Sequence, residues 1–109
     1  MMLLKQGHTP TFTMTFPATM DFNDVAHLCF TLTQNNRKVI EKTDSQITID
    51  DNVATVWLSQ AETLALSVGE AEYQLEWTYP PDENNHVNRG GSNVHVVTIT
   101  KNLKKEMMS

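Results

Sequence analysis

The sequence has one cysteine, Cys29, in 109 residues. No disulfide can form within the chain, so the fold must rest on its core. Glycine and proline are scarce, at four each, which excludes collagen-like and low-complexity linker character. Basic residues are also few. Eight Lys and Arg stand against 13 Asp and Glu, a net charge of −5. Such a domain lacks the cations that neutralise phosphates, so nucleic acid is not an expected partner. The basic cluster Lys101, Lys104 and Lys105 reads as a solvated tail. No apolar run approaches the roughly 18 residues of a membrane-spanning helix. The opening Met1-Met2-Leu3-Leu4-Lys5 is too short for the apolar region of a secretory signal. The expectation is cytoplasmic synthesis as a soluble protein with no membrane partner.

What the chain has is alternation with period two. In residues 11–16, Phe12, Met14 and Phe16 share one face and threonines the other. Pro10 and Pro17 bracket that strand, as suits positions where no ladder donor is needed. Residues 25–34 form a second strand. Asn35-Asn36 then supplies turn chemistry, and residues 38–42 return as a third strand. Residues 46–50 and 53–58 flank a tight Asp51-Asn52 turn. The second of these is apolar on both faces, which predicts a central strand. Residues 70–79 set Ala71, Tyr73, Leu75, Trp77 and Tyr79 against Glu70, Glu72, Gln74, Glu76 and Thr78. After a loop at 80–85 and a Gly90-Gly91-Ser92 turn, residues 93–100 give the last strand.

One helix interrupts the series. Ser59-Gln60-Ala61-Glu62 is a capping-box pattern that opens a short helix from Ser59 to Leu66, with Gly69 closing it. About seven strands with frequent turn signals predict an all-β, immunoglobulin-like antiparallel sandwich. The chain reads as one domain over 1–109, with 1–8 and 101–109 as terminal segments. Tyr73 lies two residues before an inward Leu75, the spacing of a tyrosine corner. Leu28, Phe30, Val56, Tyr73, Leu75 and Trp77 are the expected core.

Candidate chemistry is thin. His8, His27, His86 and His95, with Asp82 and Glu83, lack metal-ligand spacing. Asp44, Asp50, Asp51 and Asn52 suit turns better than a calcium loop. Glu70, Glu72 and Glu76 share one solvated strand face, which makes them a poor glycosidase pair. Trp57, Tyr73, Trp77 and Tyr79 could stack sugars, but Trp57 and Trp77 fall on faces assigned to the core. Cys29 lies in an apolar run with no electropositive neighbour to activate it. There is no phosphate loop, nucleophile elbow or recognisable Cys–His pair. The reading is a non-enzyme with no catalytic, cofactor or metal residues.

Three segments together carry a resemblance: Gln6-Gly7-His8-Thr9-Pro10-Thr11-Phe12, Leu58-Ser59-Gln60-Ala61-Glu62-Thr63-Leu64 and Tyr73-Gln74-Leu75-Glu76-Trp77, with Ser92-Asn93-Val94 before the last strand. They resemble small immunoglobulin-like proteins encoded in phages and prophages of Gram-positive bacteria, where an acidic residue is usual at the place of His8. The order of elements is similar to that of the N-terminal domain of phage upper-baseplate proteins, which continue into a coiled coil or receptor-binding part. The resemblance implies a structural protein of a tail, baseplate or head-associated assembly. Its partners would be other particle proteins or copies of itself, met through the strand at 11–16 and the tail after Thr100. The shared motifs concern turns, a helix cap and core positions, so they transfer no functional residue. The rival expectation is a free-standing carbohydrate-binding or adhesive module that uses Tyr79 beside Asn84 and Asn85.

Overall fold

The computed structural model describes residues 2–17 and 22–108. Its elements are β1 (Met2–Lys5), β2 (Thr11–Thr15), β3 (His27–Gln34), β4 (Arg37–Thr43), β5 (Ile47–Asp50), β6 (Val53–Trp57), α1 (Gln60–Leu64), β7 (Gly69–Thr78), β8 (Arg89–Gly91) and β9 (His95–Thr100). One sheet runs β1-β9-β7-β3-β4, with β8 also on β7, and the other runs β2-β6-β5. The β1–β9 pair is parallel. The remaining pairs are antiparallel. This is an all-β sandwich. Its strand order is of the immunoglobulin type: β9-β7-β3-β4 stand as G-F-C-C′ and β2-β6-β5 as B-E-D.

Turn chemistry sets the hairpins. Asn35 and Asn36 both adopt positive φ, 57° and 62°, as a two-residue turn matched to strand twist requires. Asp51 does the same at φ 52° between β5 and β6. Alternation sets the faces. Phe12 and Met14 are buried while Thr11, Thr13 and Thr15 are exposed. Phe30, Leu32, Val56, Leu58, Leu75, Val97 and Ile99 are fully buried between the sheets. Aromatic rings form two groups within this core. Phe12, Phe30 and Tyr73 pack with tilted rings at centroid distances of 4.7–5.7 Å. Phe16, Phe22 and Trp77 meet edge to face at 5.3–5.7 Å.

Several expectations need correction. The segment 1–8 contains a true strand, β1, so the sandwich begins before Thr11. Residues 101–108 are tied back onto the domain rather than left as a solvated tail. Asn102 donates to the Gln6 carbonyl (2.8 Å), and the Met108 amide donates to Gln60 Oε1 (2.7 Å). The outermost residues of those two segments, Met1 and Ser109, lie outside the described residues. The helix is shorter than 59–66 and ends at Leu64, while Gly69 opens β7 at φ 132° instead of closing a helix. Gly90-Gly91 is a strand rather than a turn. Gly90 sits opposite Trp77, and a Cβ there would lie 2.5 Å from Trp77 Nε1, so the indole occupies the space that a side chain would need. Of the expected core, Leu28 and Tyr73 are only partly buried. Tyr73 makes no tyrosine corner. It lies mid-strand, and its hydroxyl faces Met2 Sδ at 3.7 Å; burial pushes the phenol above its ordinary pKa.

The molecule is elongated, 54 × 27 × 25 Å, with a radius of gyration of 15.5 Å, against about 13 Å for a compact chain of this length. The ten-residue β7 spans roughly 34 Å. A Tyr79 amide bond to the Asn88 carbonyl carries that hairpin further still.

The crossover from β6 to β7 is built on the expected cap. Ser59 Oγ accepts from the Glu62 amide (3.2 Å), and Glu62 Oε1 accepts from the Ser59 amide (2.8 Å). Lys42, on β4, pairs with Glu62 at 2.8 Å, and its side chain is only 12% exposed. Burial raises the Glu62 pKa, but hydrogen bonds from Lys42 and Ser59, with the Lys42 charge, outweigh it and hold the carboxyl below its ordinary value.

Two outcomes follow from this packing. Leu75→Ala should cost about 2–5 kcal/mol in urea unfolding, whereas Val96→Ala, on an exposed face, should stay within about 0.5 kcal/mol of wild type. For the cap, Ser59→Ala should cost about 0.5–2 kcal/mol. The depressed Glu62 carboxyl contributes stability above the unfolded glutamate pKa and loses it as pH falls through the lower folded value. Glu62→Gln should therefore be less stable at neutral pH, and the gap to wild type should narrow as the medium is acidified. A gap that stays constant down through the carboxylate range would show that the ion pair contributes nothing.

Candidate interaction surfaces

Among the described residues five strands have an open edge: β1, β4 and the short β8 on one sheet, β2 and β5 on the other. Unpaired strand edges are open to further pairing unless charge or proline guards them. β1 carries Lys5, β4 carries Arg37, Lys38, Glu41 and Lys42, and β5 carries Asp50, while the short β8 carries Arg89. β2, Thr11-Phe12-Thr13-Met14-Thr15, has no charged residue. Among the described residues nothing pairs with its far side; its recorded backbone partners lie on β6. Pro10 and Pro17 stop the open edge at five residues.

The outer face of the β2-β6-β5 sheet is unusually uniform. Thr13, Thr55 and Thr48 stand directly opposite one another across the three strands. Thr11 faces Trp57, and Thr15 faces Val53, which faces Asp50. Trp57 is 54% exposed. This overturns its placement in the core: β6 is apolar on both faces, but only the face with Ala54, Val56 and Leu58 is covered by the other sheet. Trp77 is buried at 8%, as expected. Its Nε1 donates to the Tyr79 hydroxyl (3.2 Å), and Tyr79 packs against the core, which leaves it a poor loop-borne sugar platform.

The opposite outer face is acidic. Glu70, Glu72 and Glu76 line β7. Glu76 is bound by Arg89, whose Nη2 and Nε donate at 2.6 and 2.9 Å, and the carboxylate raises the Arg89 pKa. Cys29 lies on this face opposite Glu76 and near Thr31 Oγ1 (3.6 Å). It is half-buried, so it faces outward from the apolar run that contains it.

The histidines do not converge. His27 lies 3.5 Å from Asp44, and His86 lies 3.6 Å from Asp82. His95 stacks on Tyr73 at 5.2 Å, and His8 is exposed near α1. Among the described residues no three His, Cys, Asp or Glu side chains gather as a metal site. Asp51 and Asp82 serve turns, whereas Asp50 ends β5 and Asp44 reaches across to β3. Asp44 Oδ1 accepts from the Leu28 amide (3.0 Å), and Asp82 Oδ1 accepts from the Asn84 and His86 amides (both 2.9 Å). Of the tail cations, Lys105 donates to Gln6 Oε1 (2.9 Å), and Lys104 pairs with Glu106. No helix among the described residues is long and apolar enough to cross a membrane.

Comparison with known proteins finds no family model, curated protein or solved structure that matches the chain. Its surfaces must therefore be read from their own chemistry. They offer an open edge and a neutral face. The melting temperature should accordingly not change on adding excess chelator; a fall of several degrees would reveal a bound metal.

Proposed function

We propose that this chain is a non-catalytic interaction module of a phage or prophage particle, acting by strand addition along β2. The observation that carries the reading is the uncharged edge of Thr11–Thr15, set among outer strands that each carry charge. Main-chain groups on such an edge can accept a partner strand, and the alternate side chains then govern which strand fits. The inward Phe12 and Met14 are buried, so the edge is held rigid and loses little freedom on pairing. In the immunoglobulin-type order β2 takes the place of strand B, and among the described residues no strand lies on its outer side, since β1 pairs with β9 instead.

The particle context comes from the resemblance of the Gln6–Phe12, Leu58–Leu64 and Tyr73–Trp77 segments to small phage and prophage proteins. Partners on this reading are neighbouring particle proteins or further copies of the chain. The acidic outer face of β7 and the net charge of −5 fit a role without nucleic acid.

Co-expression with the proteins encoded beside it tests the proposal. At least one of them should co-purify with wild type. Thr13→Lys sets a charge on the open strand and should remove that partner while leaving the melting profile of the isolated domain unchanged. Retention of the partner by Thr13→Lys would exclude strand addition at β2, and the absence of any co-purifying neighbour would count against the particle role.

A further inference from the structure

From the outer face of the β2-β6-β5 sheet we infer that this domain has a binding site for neutral saccharide chains, centred on Trp57. This site lies on the face of the sheet rather than its edge, and it stands whether or not β2 takes a partner strand.

A tryptophan that is 54% exposed at the end of a central strand leaves a large apolar ring surface in water. Its lateral neighbours are uncharged: Thr11 stands directly opposite, and the Thr13–Thr55–Thr48 row begins one same-face step along the strands. Residues of that row repeat about 4.8 Å apart across strands, and same-face residues about 6.8 Å apart along them. Each hydroxyl both donates and accepts. An indole beside a flat array of donor–acceptor hydroxyls matches a pyranose ring, whose C–H face stacks on the aromatic while its equatorial hydroxyls reach sideways.

Among Thr11, Thr13, Thr15, Thr48, Asp50, Val53, Thr55 and Trp57 the only ionic group is Asp50, at the rim. No cation stands among these residues to hold sulfate, phosphate or carboxylate, and the chain as a whole is at −5. Anionic polymers are disfavoured, and the fitting class is neutral, equatorially substituted hexopyranose chains of the β-linked glucan or N-acetylhexosaminoglycan kind.

Three strands of five residues or fewer present a face on the order of 250 Å², whereas a stable protein interface needs about 800 Å² per partner. The face is too small for a protein surface docked on it alone but large enough for a few sugar rings. One aromatic anchor gives weak binding, on the order of 1 mM, which repeated copies would strengthen.

Tryptophan fluorescence reads this directly, because Trp57 is exposed and Trp77 is buried as an internal reference. Titration of the intact chain with chitotetraose and with cellotetraose should shift the emission to the blue, saturably, with at least one of them. Response to both would assign ring stacking alone, and response to chitotetraose only would add recognition of the acetamido group. Trp57→Ala should abolish the response with an unchanged melting profile, and Thr13→Val with Thr55→Val should weaken affinity several-fold. No response to either sugar at tens of millimolar, an equal response in Trp57→Ala, or a stronger response to dextran sulfate would overturn the inference. So would emission that is already blue-shifted in a concentration-dependent way without sugar, which would mean that a second copy covers the face. Loss of sugar binding leaves co-purification through β2 untouched, so the two readings fail separately.

Discussion

The fold depends on how the chain is held as it leaves one sheet for the other. Between β6 and β7 it must cross the end of the sandwich, and there two buried glutamines take hold of it. Gln6 Nε2 donates to the Leu66 carbonyl (2.6 Å). Gln34 both donates to the Ser67 carbonyl (2.6 Å) and accepts from the Ser67 amide (2.8 Å). Thr63, fully buried, donates to the His8 carbonyl (2.7 Å). Each bond satisfies a group that would otherwise be costly to bury, and each joins α1 or its exit to a different part of the chain. With Lys42 reaching Glu62 and Gln60 holding Met108, the N-terminal segment, the β3–β4 hairpin and the C-terminal tail all meet at this one crossover.

How much of this was legible in the sequence depended on the physical signal. The alternation in residues 11–15 and 70–78 was readable because water lies on one side of each strand and the core on the other. Asn35-Asn36 and Asp51 were readable because few residues accept positive φ. The cap at Ser59 was readable because its two bonds are local. What failed was long-range. Met2–Lys5 has no alternation, and its partner β9 lies more than ninety positions away. Gly90-Gly91 has turn composition but strand geometry, which only the Trp77 indole explains. Trp57 was misplaced because an apolar strand gives no sign of which face the second sheet will cover. Gln6 and Gln34 look like solvated loop residues until their carbonyl partners are known. Of the candidate surfaces, the open edge of β2 could be read from its lack of charge. The threonine rows could not, since they arise from the register of three strands.

The two outer faces have opposite characters. β7 presents Glu70, Glu72 and Glu76, whereas the three-stranded sheet presents threonines and an indole. Like copies are repelled through the first and not through the second. A strand added at β2 would leave the threonine face open and widen it, so edge and face can be used together.

The parallel pairing of β1 with β9 also has a mechanical meaning. The chain enters β1 at Met2, beside Val97, and leaves β9 at Thr100, beside Lys5. These points lie at opposite ends of the same strand pair. Tension between the two ends of the domain therefore pulls the strands along their length in opposite directions, loading the ladder in shear, so that its hydrogen bonds must give together. An antiparallel pair gripped at one end would instead unzip one bond at a time. The Gln6 amide bond to Thr100 and the Asn102 bond to Gln6 extend the same clasp.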